Sequence, residues 1–346
     1  MKTQIYRIDG SPNDEMRIKE AGEIIKRGGL VAFPTETVYG LGGDALNPEA
    51  AAKIYAAKGR PTDNPLIVHL CRTSDIEAIV RDIPPVFYKL ADAFWPGPLT
   101  VVLRKTVRVP DSTTGGLATV AVRMPDNQTA LALIEAAGGF VAAPSANRSG
   151  RPSPTTIEHV IADMDGCIEM IIDDGAARIG IESTILDLIS SPAKILRPGH
   201  ITEAELSPYL GTVERAAETD RLSIPLAPGM KYRHYAPKGK MTIVEGEEEA
   251  VIAYINERLA SDKAEGLKTG VIASRQTCSQ YRADSVKCLG DRGDEETLAH
   301  NLYRILREFD DEITDVIYSE AFASENIGEA IMDRLSKAAQ HNIVYL

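Results

Sequence analysis

Apolar residues along positions 1–210 recur with two spacings, one typical of helices and one typical of strands. The helical spacing predicts helices over residues 14–29, 47–58, 76–80, 85–95, 129–138, 155–164 and 202–210. Short apolar runs predict strands over residues 30–34, 65–70, 99–105, 119–125, 140–146, 167–173, 183–189 and 193–198. Because several predicted strands follow one another without a helix between them, the pattern favours an α+β domain with a mixed, twisted sheet.

Residues 240–346 show a more regular pattern, in which strands and helices alternate. The predicted strands cover residues 240–246, 268–275 and 314–322. The predicted helices cover residues 247–260, 294–312 and 328–339. This alternation predicts a smaller, Rossmann-like α/β domain with three layers and a parallel sheet. The segment contains neither a GxGxxG motif nor a nucleophile elbow.

Residues 211–239 separate these regions and have no sustained periodicity, so we expect them to form a linker. The part that reads PGMKYRHYAPK, residues 228–238, carries two tyrosines, a histidine, a methionine and three cations. These side chains fit two roles: they could pin an inert tether to a domain surface, or they could form a lid that closes over a pocket. Their spacing does not choose between the two.

Composition places the chain among ordinary globular proteins. Its 346 residues exceed a single comfortable core, and apolar residues make up 44% and charged residues 25% of the chain. There is no run of about 18 apolar residues, and the start lacks the apolar core of a signal peptide, so we expect a cytoplasmic protein. The cysteines stand singly, without CxxC spacing, which favours reduced thiols over a zinc site or disulfides: Cys71, Cys167, Cys278 and Cys288.

Charge is distributed unevenly between the two regions. The chain has 38 Lys+Arg and 50 Asp+Glu, a net charge of −12, which argues against general nucleic-acid binding. Residues 1–239 carry 26 of these cations and 29 of the anions, a net charge of −3, whereas residues 240–346 carry 12 and 21, a net charge of −9. The first region is therefore close enough to balance to contain a basic pocket.

The stretch KGRPTDNP, residues 58–65, places two cations in a turn that two prolines make stiff. One interpretation is ordinary: Lys58 closes a helix, Gly59 caps it, and Arg60 is a solvated loop residue. The other is that a rigid turn holds these cations ready for an anion. No GxxxxGK[ST] motif occurs, so a P-loop does not supply the phosphate contacts.

Further candidate anion contacts lie at the ends of predicted strands, next to glycine or proline. They are Arg123, Ser145, Asn147, Ser183 and Arg197. Sheets present binding loops at such positions, and the arginine fork suits carboxylate and phosphate oxygens. The set predicts a site for a polyanion and a carboxylated co-substrate.

The short motifs and their order along the chain resemble those of one protein family. The motifs are AFPTETVYGLG at residues 32–42, KGR with DNPLIVH, WPGPLT, VAVRMP, APSAN, RPSPT, ESTI, LRPG and APGMKYRHYAP. They resemble the two-domain form of L-threonylcarbamoyladenylate synthase. The resemblance implies a YrdC-like catalytic domain over residues 1–210, a linker or lid over 211–239, and a Sua-type C-terminal domain over 240–346.

The resemblance also implies an activity. Enzymes of this family join L-threonine, bicarbonate and ATP into threonylcarbamoyl-AMP and release pyrophosphate, with Mg²⁺ accompanying ATP. The product is the donor for threonylcarbamoyladenosine in tRNA, so the implied partner is a downstream tRNA threonylcarbamoyl transferase complex. Two alternatives share the domain: a noncatalytic RNA-binding module, and a hydrogenase-maturation enzyme, whose Cys-rich zinc motifs this chain lacks. Oligomeric state and the role of the C-terminal domain stay open.

Matching motifs carry the family's site residues onto this chain. The residues that resemble the threonine-binding set are Thr35, Thr37, His69, Arg123, Ala143 and Ser183. The residues that resemble the ATP-binding set are Arg60, Asn64, Thr119, Ser145, Asn147, Ser153, Arg197 and Tyr235. Lys58 and Arg60 are expected to be catalytic through charge stabilisation, and no protein metal ligands are expected. Of Thr35 and Thr37, the second is favoured for the threonine contact.

Overall fold

The computed structural model describes residues 2–216 and 234–346, which form two compact units. The first unit contains residues 2–149, 153–178 and 182–216. The second unit contains residues 150–152, 179–181 and 234–346. None of the helices in these residues combines the length and the apolar character that a membrane crossing requires.

The first unit alternates helices with short strands. Its helices are α1 (Asp14–Lys26), α2 (Pro48–Lys58), α3 (Val86–Phe94), α4 (Gln128–Ala136), α5 (Ile157–Met164) and α6 (Glu203–Leu210). Its strands are β1 (Gln4–Arg7), β2 (Val31–Phe33), β3 (Gly40–Asp44), β4 (Ile67–His69), β5 (Val80–Arg81), β6 (Leu99–Lys105), β7 (Thr119–Arg123), β8 (Val141–Ala142), β9 (Met170–Asp173), β10 (Thr184–Asp187), β11 (Ala193–Arg197) and β12 (Val213–Arg215).

These strands form one mixed sheet, as the sequence predicts. The strand order is β1-β9-β2-β3-β8-β4-β7-β6-β10-β11-β12, and β5 pairs with β6. Strand β4 runs parallel to β7, whereas β6 runs antiparallel to β7 and parallel to β10. Strands far apart in sequence are thereby neighbours, and their ends bring distant residues together.

Four local expectations differ from the structure, and one of them concerns β12, which lies in the predicted linker and pairs with β11. The glycine-rich β3 was not predicted as a strand, but a Cβ at Gly42 would come within 2.9 Å of Phe33 and of Val141. Only glycine permits that approach between neighbouring strands. The predicted helix over 76–80 is a short 3₁₀ helix, Thr73–Ala78, followed by β5. The amino-terminal β1 was also not predicted.

The two faces of the central strands carry different apolar clusters, because successive side chains of a strand point to opposite sides. Val68, Val101 and Val122 belong to the main core on one face. A smaller buried cluster occupies the other face, which we call the minor face; its members are Ile67, Val102, Ala121, Ile185 and Leu196. Side chains two residues from these positions along a regular strand also point to the minor face.

The second unit has the predicted parallel sheet. Its strands are β13 (Lys240–Glu245), β14 (Thr269–Ser274), β15 (Ser285–Gly290), β16 (Val316–Glu320) and β17 (Ile343–Tyr345), in the order β15-β14-β16-β13-β17. Its helices are α7 (Glu248–Ala264), α8 (Glu295–Asp311) and α9 (Asn326–Ala338). Every described strand pair in this sheet is parallel. Strands β15 and β17 were not predicted.

Helices cover both faces of this sheet. Val271 packs in a cluster with Val251, Ile255 and Leu259 of α7. The preceding residue, Gly270, faces the other side, where an added Cβ would come within 2.5 Å of the Phe309 ring of α8. The prediction of a three-layer, Rossmann-like arrangement is therefore confirmed.

The packing of α1 against α4 supplies a stability test. A Cβ at Gly22 would lie 2.6 Å from the backbone carbon of Ala136, so the methyl group of Gly22→Ala has no space. We expect this substitution to lower the free energy of unfolding by about 1–3 kcal/mol in urea titrations, despite the higher helix propensity of alanine. Glu20→Ala, at an exposed position of the same helix, is the control. A Gly22→Ala variant as stable as the wild type would show that α1 and α4 separate easily.

Candidate active site

The turn after α2 points both of its cations inward. Gly59 ends the helix in the left-handed region, with φ of 62°, where glycine is favoured. Lys58 is only 3% exposed, and its Nζ donates to the carbonyl oxygens of Ser145 and Asn147. The Nζ-to-oxygen distance is 2.6 Å for the Asn147 carbonyl and 3.2 Å for its Oδ1. Lys58 does close α2 and Gly59 caps it, as the first interpretation states, but the Lys58 side chain is buried and is not a surface cation.

Arg60 is also buried, at 8% exposure, and is tied to its own turn. Its Nη2 donates to Asn64 Oδ1 at 2.5 Å and to the Pro65 carbonyl at 3.1 Å. Tyr55 donates to the Asn64 carbonyl at 3.1 Å, and burial raises the pKa of this tyrosine to about 12. The guanidinium is held by the geometry that the prolines impose, and it is not a solvated loop residue.

Residues 145–147, which read SAN and which we call the S-x-N loop, lie against this turn. Ser145 Oγ donates to Asn147 Oδ1 at 2.5 Å, and Ser145 also forms an isolated antiparallel bridge with Gly40. Ser149 N donates to the Lys58 carbonyl at 2.8 Å. The structure thus brings Lys58, Ser145 and Asn147 together, as the motifs imply.

Thr119 stands at the same level of the sheet as the turn. Strand β4 pairs with β7 so that Ile67 lies opposite Ala121, which sets Thr119 level with Pro65. Thr119 also shares the minor face with Ala121, because the two are two residues apart. Its predicted place beside Arg60 and Asn64 is consistent with this register.

A row of buried polar residues crosses the minor face at the other end of these strands. His69 is the Cα partner of Arg123, and Arg123 is the Cα partner of Thr100. Thr100 Oγ1 and Ser183 Oγ share a hydrogen bond of 2.7 Å. All four side chains are at most 4% exposed. Four residues of β7 separate this row from Thr119, a distance of about 13 Å at about 3.3 Å per residue.

A β-bulge adds Arg197 to this row. Ile185 pairs with Arg197 and Leu186 with Ile195, so Leu196 is an extra residue in β11. The bulge shifts the alternation and turns Arg197 to the minor face, which a regular strand would not do. Its Nε and Nη2 donate to the Ser183 carbonyl at 3.1 and 2.9 Å.

Residues 34–37, which we call the PTET loop, contain a site residue that was not predicted from the sequence. Glu36 Oε1 lies 2.7 Å from Arg123 Nη2, and the two side chains are 1% and 5% exposed. Glu36 is the single acidic residue in AFPTETVYGLG, which is the signal that could have identified it. The neighbouring Thr35 Oγ1 donates to the Val38 carbonyl at 2.6 Å and lies 2.9 Å from Thr37 Oγ1. The hydroxyl of Thr35 is therefore used within its own loop.

His69 is electrically neutral. Burial, with a further contribution from the Arg123 charge, lowers the pKa of His69 from its ordinary value of 6.5 to about 3. Its Nδ1 lies 3.2 Å from the Ile67 carbonyl, and backbone hydrogen bonds to Ile67 and Val141 oppose the lowering of the pKa without outweighing burial. Arg123 thus stands between a neutral imidazole and a carboxylate.

The remaining predicted residues lie in different surroundings. Ser153 donates to Glu182 Oε1 at 2.6 Å, and Ala143, which follows β8, is buried. Tyr235 belongs to the second unit, where its ring centroid lies 5.2 Å from that of Tyr303. Its contact with a nucleotide stays a prediction. The predicted lid covers residues 228–238, and its part before residue 234 lies outside the described residues.

Comparisons with known proteins cover the whole chain. A family model described as telomere recombination matches residues 23–199, and one described as the threonylcarbamoyl-AMP synthase C-terminal domain matches residues 201–340. Threonylcarbamoyl-AMP synthase from Pyrococcus abyssi is 47% identical over 333 residues, 96% of each chain. The Bacillus subtilis protein of the same name is 43% identical over 350 residues, 99% of this chain and 100% of that one. The crystal structure of P. abyssi Sua5 complexed with L-threonine has a TM-score of 0.93 and 44% identity, with 100% of both chains covered.

The low pKa of His69 predicts a dependence of stability on pH. Between about pH 3 and 6.5 the unfolded chain binds a proton at this residue that the folded protein does not, so the free energy of unfolding falls as the pH is lowered through that range. We expect His69→Gln to lose less stability than the wild type between pH 7 and pH 5, measured by urea unfolding. His341→Gln, at an exposed position, is the control. Equal losses in the wild type and His69→Gln would refute a depressed pKa.

Proposed function

The chain belongs to the threonylcarbamoyl-AMP synthase family, and we propose that it joins L-threonine, bicarbonate and ATP into threonylcarbamoyl-AMP with release of pyrophosphate. The observation that carries this proposal is the pair of anion sites on one sheet: a rigid basic turn, and an arginine-containing row about 13 Å away along β4 and β7. This spacing suits a nucleoside triphosphate bound beside an amino acid, with the α-phosphate close to the amine.

The chemistry requires positioning more than a nucleophilic side chain. The threonine amine reacts with bicarbonate to give a carbamate and water, and a carbamate oxygen then attacks the α-phosphorus of ATP as pyrophosphate leaves. Lys58 and Arg60 of the turn would bind and neutralise the phosphates, and Arg197, which lies in the row, would neutralise the α-phosphate where the two substrates meet. Arg123 would bind the amino-acid carboxylate, and Ser183 its hydroxyl.

Mg²⁺ is part of this proposal as a companion of ATP. The described residues hold no group of three or more His, Cys, Asp or Glu side chains that could bind a metal ion. A protein cage for the ion therefore does not fit these residues. Mg²⁺ commonly enters such sites bound mainly to substrate phosphates and water, which suits this arrangement.

The product identifies the next step by its chemistry. A mixed anhydride of a carbamic acid and a phosphate is readily hydrolysed, so it must be passed on promptly. We propose that a tRNA threonylcarbamoyl transferase complex, in the cytoplasm with this protein, transfers the threonylcarbamoyl group to tRNA. The alternative of a noncatalytic RNA-binding module is less favoured. The negative net charge opposes it, and the cations of the site are buried rather than spread over a surface.

Arg60 gives a direct test of the phosphate site. We expect Arg60→Lys to fold but to release pyrophosphate at least about 30-fold more slowly, because lysine retains the charge and loses the fork, and losing a buried charged contact costs about 2–5 kcal/mol. Coupled pyrophosphate assays with ATP, threonine and bicarbonate measure this. Arg27→Lys, an exposed position at the end of α1, is the matched control. A rate within threefold of the wild type would return Arg60 to a structural role.

Amino-acid selectivity tests the assignment of Ser183. If its hydroxyl and the neighbouring polar row bind the substrate hydroxyl, valine leaves buried polar groups unpaired, whereas serine loses only a methyl contact. We expect kcat/KM for valine to fall at least about tenfold below that for serine. Comparable values for valine and threonine would contradict a hydroxyl-binding pocket.

A further inference from the structure

Glu36 and Arg123 form a buried ion pair with unused hydrogen-bonding capacity. Among the residues that the structure describes, neither carboxylate oxygen of Glu36 has a hydrogen-bond partner of good geometry, and the same holds for Nη2 of Arg123. The two groups nevertheless lie 2.7 Å apart. Buried polar atoms are almost always hydrogen-bonded, because leaving one without a partner is costly, so this pair needs an explanation.

A zwitterion satisfies both partners. An α-amino acid carries a carboxylate and an ammonium on one carbon, and a buried cation beside a buried anion is the complementary receptor. If the substrate carboxylate binds Arg123, its ammonium lies within reach of the Glu36 side. The hydrogen-bonding capacity that the pair leaves unused then matches the groups that the substrate brings.

We propose that Glu36 binds the α-ammonium of the amino acid and takes a proton from it, as the general base for carbamate formation. This rests on the proposed function. The ammonium gives up two protons: one goes to the Glu36 carboxylate, and the other leaves with the hydroxide of bicarbonate as water. The nitrogen–carbon bond forms while that carbon–oxygen bond breaks, and Glu36 ends protonated beside the carbamate.

His69 does not fill this role. It is the titratable ring that lies opposite Arg123 in the sheet, but burial and the Arg123 charge lower its pKa to about 3, so it is a poor acceptor for an ammonium proton. Thr35 and Thr37, on either side of Glu36, are neutral hydroxyls. Glu36 is the residue of the PTET loop that can accept the proton.

The Glu36→Gln variant distinguishes a general base from a purely structural residue, because a base is needed in the forward reaction and not in the reverse reaction. The forward reaction requires the amine to lose protons, and general base catalysis contributes about 100-fold or more. We expect pyrophosphate release from ATP, threonine and bicarbonate to fall at least about 100-fold in kcat. The reverse reaction, in which pyrophosphate and prepared threonylcarbamoyl-AMP give ATP, requires only phosphorus–oxygen chemistry before the carbamate leaves. We expect its rate to stay within about threefold of the wild type.

The control is Glu169→Gln in the full chain. Glu169 accepts a hydrogen bond from Leu30 N at 2.8 Å, and its amide replacement keeps an acceptor, so both rates should be unchanged.

Each other outcome has a definite meaning. If Glu36→Gln loses both directions, Glu36 holds the site together and is not a base. If the forward rate persists and threonine binds more tightly in calorimetry, Glu36 only occupies Arg123 until the substrate arrives. Either result overturns the inference. If the wild type releases no pyrophosphate that depends on threonine and bicarbonate, the proposed function itself fails.

Discussion

Burying a cation requires polar atoms to replace the water that it loses, and this requirement shapes the site. Lys58 donates hydrogen bonds to the carbonyl oxygens of the S-x-N loop, and Arg60 donates to oxygens of its own turn. Arg197 donates to the Ser183 carbonyl. Backbone carbonyls fix a cation in place while leaving its full charge available to an anion. Each of these contacts depends on an exact local geometry: a glycine-capped helix end, a proline-stiffened turn, and a bulge in β11.

The parts of this site that were predictable from the sequence are those set by neighbours in the chain. Gly59 and the prolines define the turn within eight residues, so its rigidity could be inferred without the fold. Arg197 was named from the LRPG motif, but its orientation depends on the bulge at Leu196, which follows from pairing with β10. The pairing of Glu36 with Arg123 joins residues far apart in sequence, and no local pattern encodes it.

The second unit contains a buried glutamate that, unlike Glu36, has hydrogen-bond partners. Glu320 accepts hydrogen bonds from Ser274 N at 3.1 Å and Tyr281 OH at 2.7 Å, and it pairs with Arg292 at 2.5 Å. It lies at the carboxyl end of β16, where α/β sheets commonly bind ligands. Its partners satisfy it, so the network is explained by stability alone. Among the residues that the structure describes, Glu36 has no such partner, and this contrast is why one glutamate indicates chemistry and the other does not.

Neutrality of His69 is as important to this site as the charge of Arg123. A site that binds a carboxylate and releases a proton from the adjacent amine needs positive charge beside the carboxylate and none beside the amine. A protonated His69 next to Arg123 would add a second cation and would make the ammonium harder to accommodate. Burial prevents this, because desolvation disfavours the charged imidazole and the guanidinium opposes it further. The same burial that keeps His69 uncharged therefore leaves the Glu36 carboxylate as the counter-charge for the amine.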